Sequence, residues 1–227
     1  MRVYQYINSS WSKLGDDIDG ESADDRSGWS VSLSSDGTIV AIGATQNDGD
    51  SGSTSDNRGH VRVYQYDASK NYLDTDQSSN TFGPIGWNRL GGDIDGEAAS
   101  DYSGFSVSLS SDGTIVAIGA YGNNSNTGHV RVYERDTNEA IGWKQLGSDI
   151  DGELVNDQSG YSVSLSSDGT IVAIGARYND GNGSGSGHVR VYQYDATKTT
   201  ADTNQSSSTF GPIGWNRSGE DIDGEAN

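Results

Sequence analysis

Three stretches of the chain carry four acids at one spacing. Asp17, Asp19, Glu21 and Asp25 stand at positions 1, 3, 5 and 9 of the first. Asp93, Asp95, Glu97 and Asp101 repeat the pattern, as do Asp149, Asp151, Glu153 and Asp157. A fourth copy holds Asp221, Asp223 and Glu225. This is the interval at which calcium loops bring side-chain oxygens to one centre, with backbone oxygens completing the shell. The glycine of each DIDGE motif falls at position 4, however, where such loops place it at 6. Two compatible readings follow. Each loop is a calcium site with these acids as ligands, or it is a turn between strands in which Asp-Gly shapes the bend and carboxylates accept backbone N–H bonds.

Two other residue sets recur in register. His60, His129 and His188 share one slot, with Arg62, Arg131 and Arg190 two residues on. A ring of histidines can bind a metal or a sugar, but a strand-edge histidine copied along with its repeat is the simpler reading. Strand alternation puts the arginines on the face opposite the neighbouring valines, in solvent. Trp11, Trp87, Trp143 and Trp215 suit packing between repeated units, or sugar stacking if exposed. Trp29, Phe105 and Tyr161 fall on the parity of the core residues that follow them. None of this resembles catalysis. Acid–base carboxylates need two unlike environments, and here every cluster is copied. No nucleophile elbow, phosphate loop or HExxH occurs. The chain reads as a non-enzyme.

Composition narrows the partners. Against 33 acids stand only 14 Lys and Arg, a net charge of −19. This excludes a nonspecific grip on nucleic acid, which needs clustered cations, and attraction to anionic lipid. Cysteine is absent, so there is no disulfide, thiol nucleophile or thiolate metal site. No apolar run is long enough to insert in a membrane.

Repetition decides the architecture. The block SGWSVSLSSDGTIVAIGA at Ser27–Ala44 returns with one substitution at Ser103–Ala120 and Ser159–Ala176. GHVRVY starts at Gly59, Gly128 and Gly187. Within a unit, alternating Trp29–Ser34 predicts a half-buried strand, Ser35-Asp36-Gly37-Thr38 a tight turn, and Ile39–Ile42 a strand covered on both faces. His60–Tyr64 is a third strand, and the Trp segment a short fourth. Four antiparallel strands per unit predict an all-β fold of β-propeller blades, with a solenoid as the rival. The boundaries are a partial blade at 1–26, a blade with an insert at 27–102, a blade at 103–158, and a blade with an insert at 159–227. The inserts, Asp67–Gly86 and Asp195–Gly214, suit binding loops or floppy linkers. About three and a half blades fall short of the usual closed ring. A longer parent chain or self-association is the expectation.

The pattern SG[WFY]SVSLSSDGTIVAIGA followed by GHVRVY resembles the FG-GAP repeat of integrin α-subunit propellers. Ser27-Gly28-Trp29 stands where Phe-Gly is expected, and Ile42-Gly43-Ala44 stands for Gly-Ala-Pro without its proline. In that family calcium often sits in a DxDxDG hairpin between the first two strands. Here the hairpin holds one carboxylate, Asp36, Asp112 or Asp168, so that site is not carried over. The resemblance implies an extracellular or cell-surface protein for adhesion or structural assembly, with a protein or glycan partner. Five Asn-x-Ser/Thr sites, at Asn8, Asn123, Asn182, Asn204 and Asn216, favour a secreted glycoprotein. The alternative is a lectin-like propeller using the Trp and His slots.

Overall fold

A computed structural model describes residues 1–49 and 55–225. It is a row of antiparallel sheets packed face to face. Strands β1 (Val3–Ile7) and β2 (Ser10–Leu14) form a two-stranded half-blade. Blade 1 comprises β3 (Ser27–Leu33), β4 (Ile39–Ala44), β5 (His60–Tyr66), β6 (Trp87–Arg89) and β7 (Ile94–Asp95). Blade 2 comprises β8 (Ser106–Leu109), β9 (Ile115–Ala120), β10 (His129–Arg135), β11 (Trp143–Gln145) and β12 (Ile150–Asp151). Blade 3 comprises β13 (Ser159–Leu165), β14 (Ile171–Ala176), β15 (His188–Tyr194), β16 (Trp215–Arg217) and β17 (Ile222–Asp223). In each blade the order is meander-like, and the last two short strands both pair with the third. The fourth strand is thus one strand broken in two, and in the three complete blades the Ile-Asp of the acidic loop is its second half. The propeller-blade architecture is as the repeats predict. The one helical segment among the described residues, α1 (Asn123–Asn126), follows β9.

Local chemistry explains the hairpins. Asp36 Oδ1 accepts bonds from Ser34 Oγ at 2.7 Å and from the Thr38 N–H at 2.9 Å, and Ser34 Oγ in turn accepts the Ile39 N–H. Asp112 and Asp168 repeat this network. The carboxylate fastens a turn in which Gly37 takes φ 72°. With its acceptor positions used this way, the hairpin does not fit calcium.

The cores lie between blades. Ile18, Val40, Ile42, Tyr64 and Trp87 join the half-blade to blade 1. Ala41, Val61, Val63, Ile118 and Trp143 join blades 1 and 2. Ala117, Val130, Val132, Ile174 and Trp215 join blades 2 and 3. The strand β4 feeds both of its interfaces, Val40 and Ile42 on one side and Ala41 on the other, which is why Ile39–Ile42 is apolar on both faces.

Three kinds of polar joint recur, the first at all three interfaces and the other two between the complete blades. The Trp87 indole donates to the Leu14 carbonyl at 3.1 Å, Trp143 to Leu90 at 2.8 Å and Trp215 to Leu146 at 2.9 Å. Ser30 Oγ donates to the Gly104 carbonyl at 2.6 Å, and Ser106 Oγ to Gly160 at 2.8 Å. The Leu109 N–H donates to Ser32 Oγ, and the Leu165 N–H to Ser108 Oγ. The serines that alternate with the apolar residues of the first strand are therefore joints rather than a solvated face.

The first strand of blade 1 carries a bulge and corrects one sequence expectation. The β3–β4 register shifts between Ser27 and Ser30, with Gly28 at φ 90°. Trp29 shares the face of Val31 and Leu33, but that face is not core: all three side chains stay about half exposed, Trp29 beside Phe105 with ring centroids 5.4 Å apart. Phe105 in turn contacts Tyr161 and Tyr121.

Candidate functional site

The acidic loops do not gather their own four carboxylates. Each loop divides its acids among three tasks. The last acid is a turn fastener: Asp25, Asp101 and Asp157 are buried and accept backbone N–H bonds from within the loop, as Asp101 does from Glu97 and Ala98. An asparagine after the second strand completes each one, Asn47 to Asp25, Asn123 to Asp101 and Asn179 to Asp157. The second acid, Asp95 or Asp151, lies on the broken strand opposite His60 or His129. The remaining two acids face opposite ways along the chain. The first belongs to its own blade, and the glutamate reaches into the next.

This produces composite clusters. Glu21, from the loop before blade 1, meets His60 and Asp93. Glu97 meets His129 and Asp149, and Glu153 meets His188 and Asp221. In each set the three candidate ligand atoms lie within 4.8 Å of one another. Asp17 and Asp19 have no equivalent cluster among the described residues. Asp17 is an exposed partner of Arg2 and Lys13.

In the first and third clusters an arginine occupies the centre. Arg62 is only 6% exposed. It grips Asp93 with two parallel bonds of 2.8 and 2.7 Å and also pairs with Glu21. Arg190 holds Asp221 and Glu153 in the same way. Bidentate geometry is the strong form of this pair. Arg89 and Arg217 add a second cation to the same carboxylates, at 2.7 and 2.9 Å. Burial pushes the Asp93 and Asp221 carboxyls up, but the arginine bonds outweigh it and hold both below the usual range. The expectation that these arginines face solvent is therefore corrected. Strand parity gives the face correctly, but the preceding unit covers it.

The inserts close the same two clusters and are not floppy. Lys70 donates to the carbonyls of Gly83 and Trp87 at 2.9 and 2.7 Å, and to that of Thr81, so the loop folds around its ammonium. Lys198 bonds Thr209 and Trp215 likewise. From the tips, the Gln77 carbonyl accepts from Arg89 and the Gln205 carbonyl from Arg217. Phe82 and Phe210 lie against the same guanidiniums at 4.5 and 4.7 Å.

The middle cluster differs. Blade 2 has no insert, and Gln145 stands where Arg89 and Arg217 stand. Arg131 turns to the Asp95 carbonyl at 2.7 Å and comes only within 3.6 Å of Glu97. Asp149 has the Gln145 amide at 2.6 Å and the His129 ring at 3.6 Å. Burial, then the charge of neighbouring carboxylates, raises Glu97 and Asp151 above the normal range. The sequence signal for this asymmetry was present in WNR against WKQ, but nothing in it says that the third residue touches an acid four positions on.

His60, His129 and His188 are all buried, as are Trp87, Trp143 and Trp215. None of these offers a face to a sugar. Trp11 is exposed and lies against Tyr6. A polar cavity of about 690 Å³ opens beside the first cluster, lined by Glu21, Asp24, Asp25, Asp93 and Asp95 among others.

A family comparison agrees with the repeats. The family model of the FG-GAP repeat matches residues 151–192, from β12 into β15. The other units carry the same blocks almost verbatim. The 151–192 stretch of the chain thus matches an FG-GAP repeat, and the sheets have the architecture of β-propeller blades. No curated protein matches it. Among solved structures it is similar to the periplasmic gluconolactonase PpgL of Pseudomonas aeruginosa, at 16% identity and a TM-score of 0.44. That alignment covers 85% of this chain but 46% of the other, so the chain spans less than half of that protein. No helix among the described residues is long and apolar enough to cross a membrane.

Proposed function

We propose that the chain is a non-enzymatic, extracellular propeller-repeat protein for adhesion or structural assembly. One observation carries this reading. The side chains with chemical potential are spent on joints between consecutive units, as Glu21, Arg62 and Asp93 are. A reaction centre needs reactive groups left unequal and accessible, whereas two of the three clusters here are copies filled by arginine. Trp29, Val31 and Leu33 leave an apolar strip half exposed along β3, which suits contact with a protein partner or a second copy.

Sedimentation velocity tests the assembly half of the reading. The chain is expected to associate as concentration rises, and a Val31→Asp, Leu33→Asp double variant to remain monomeric. A chain that stays monomeric throughout and hydrolyses a lactone or ester would overturn the proposal. Calcium has a minor place in it, because Arg62 and Arg190 already neutralise the acids that converge. Excess calcium, compared with a chelator, is expected to raise the melting temperature by no more than about 2–4 °C, the equivalent of ~1 kcal/mol at this size. A much larger rise, lost in Asp93→Asn, would mean that calcium displaces the arginines and organises the loops.

A further inference from the structure

We infer that the middle cluster, Glu97, His129 and Asp149, is a site for one borderline divalent cation of the zinc type, and that the first and third clusters are not. The inference is independent of the adhesive reading. It starts from the donor set. Two carboxylate oxygens and an imidazole nitrogen suit zinc and the later first-row metals, whereas calcium takes oxygen alone. Three protein ligands leave a further position for water.

The imidazole is the observation that points to a ligand. His129 is 1% exposed. Its Nδ1, the nitrogen turned to the cluster, faces Asp149 Oδ2 at 3.6 Å, too far for a good hydrogen bond. Ligand atoms on a tetrahedral zinc are about 3.3 Å apart, given bonds of about 2.0–2.1 Å. Here the three lie within 4.8 Å. Glu97, whose side chain is half exposed and only loosely paired with Arg131 at 3.6 Å, can supply the remaining movement.

The sister clusters explain the restriction to one site. In both, a guanidinium already bonds the two acids that a metal would need. Arg89 or Arg217 and the tip of an insert then seal it. Blade 2 lacks all three devices. Gln145 supplies a neutral amide, Arg131 is drawn off to a backbone carbonyl, and no insert covers the cluster.

The test is titration of the intact chain with zinc by calorimetry, alongside the His129 imidazole nitrogen shifts in NMR. One ion per chain is expected, with a shift of His129 and not of His60 or His188. Excess calcium should not compete. Glu97→Gln should weaken binding at least tenfold. Gln145→Arg is the sharper variant, because it recreates the pattern of blades 1 and 3 and should fold while abolishing binding. Three ions per chain, no ion, or binding that survives Gln145→Arg with an unshifted His129 would each overturn the assignment.

Discussion

Gly119→Ala is expected to destabilise the chain by about 3 kcal/mol, towards the upper end of what overpacking costs. A Cβ on Gly119 would stand 2.0 Å from the Gly160 carbonyl oxygen and 2.4 Å from Ser106 Oγ. The first of these atoms is backbone and belongs to the neighbouring blade. It can retreat only if blade 3 retreats with it, and that would break the Ser106–Gly160 bond and open the shared core. Gly43 meets the Gly104 carbonyl at 2.1 Å in the same way. The chain also carries its own control. Gly175 holds the same slot in blade 3, but its Cβ would meet only Ser162 of its own blade, a side chain that can rotate away. Gly175→Ala should be close to neutral, since alanine regains in strand stability what the serine gives up. Chemical denaturation of the two variants decides the matter. Equal losses would mean that the glycines matter for strand conformation and not for the approach of blades.

Acid is expected to unfold the protein in two stages. His60, His129 and His188 are all held below the ordinary 6.5, by burial first and then by the neighbouring arginine, against the opposing pull of nearby acids. A base with a depressed folded value leaves the unfolded chain binding more protons. The histidines' contribution is therefore complete above pH 6.5 and is lost as pH falls through their folded values. Each costs about 1.4 kcal/mol per pH unit while it remains neutral in the folded state, so three together give a slope of about 4 kcal/mol per unit. The second stage lies below the normal carboxylate value of 3.8, where Asp93 and Asp221, held down by their arginines, begin to lose their pairs. Stability measured by denaturant at stepped pH should fall steeply from pH 6.5 downwards. Replacing all three histidines by glutamine should flatten that limb and leave the lower one. A wild-type curve level between pH 6.5 and 5 would sink the argument.

Much of the fold is legible in one unit of sequence. Alternation in Trp29–Ser34, the Asp36-Gly37 turn, the doubly apolar Ile39–Ile42 and the alternating His60–Tyr64 specify the inner three strands and their meander. Recurrence of the unit does the rest. The tryptophans pack between blades because a large apolar ring on a short outer strand has nowhere else to go. The clusters were less legible, and for a physical reason. Spacing within a loop describes only neighbours along the chain. Glu21 and Asp93 are 72 positions apart and meet because stacking one blade on another superimposes the end of one unit on the end of the next. Parity placed Arg62 on the correct face but could not say that Glu21 would cover it. The bulge at Gly28 was hidden because glycine before an aromatic fits a regular strand as readily as an irregular one.

The two-way division of the acidic loop has a consequence for how such a chain grows and comes apart. Each unit carries half of a joint at either end, the aspartate for itself and the glutamate for its successor. A duplicated unit therefore arrives already matched to its neighbours, and no compensating change is needed to insert it. Energetically the array behaves as a one-dimensional lattice, in which every unit has an intrinsic term and every boundary a coupling term. Stability then rises stepwise with the number of boundaries, and loss of structure proceeds inwards from the ends. The most protected amides of this chain belong in β9 and β10, in the one complete blade that is coupled to a complete blade on each side.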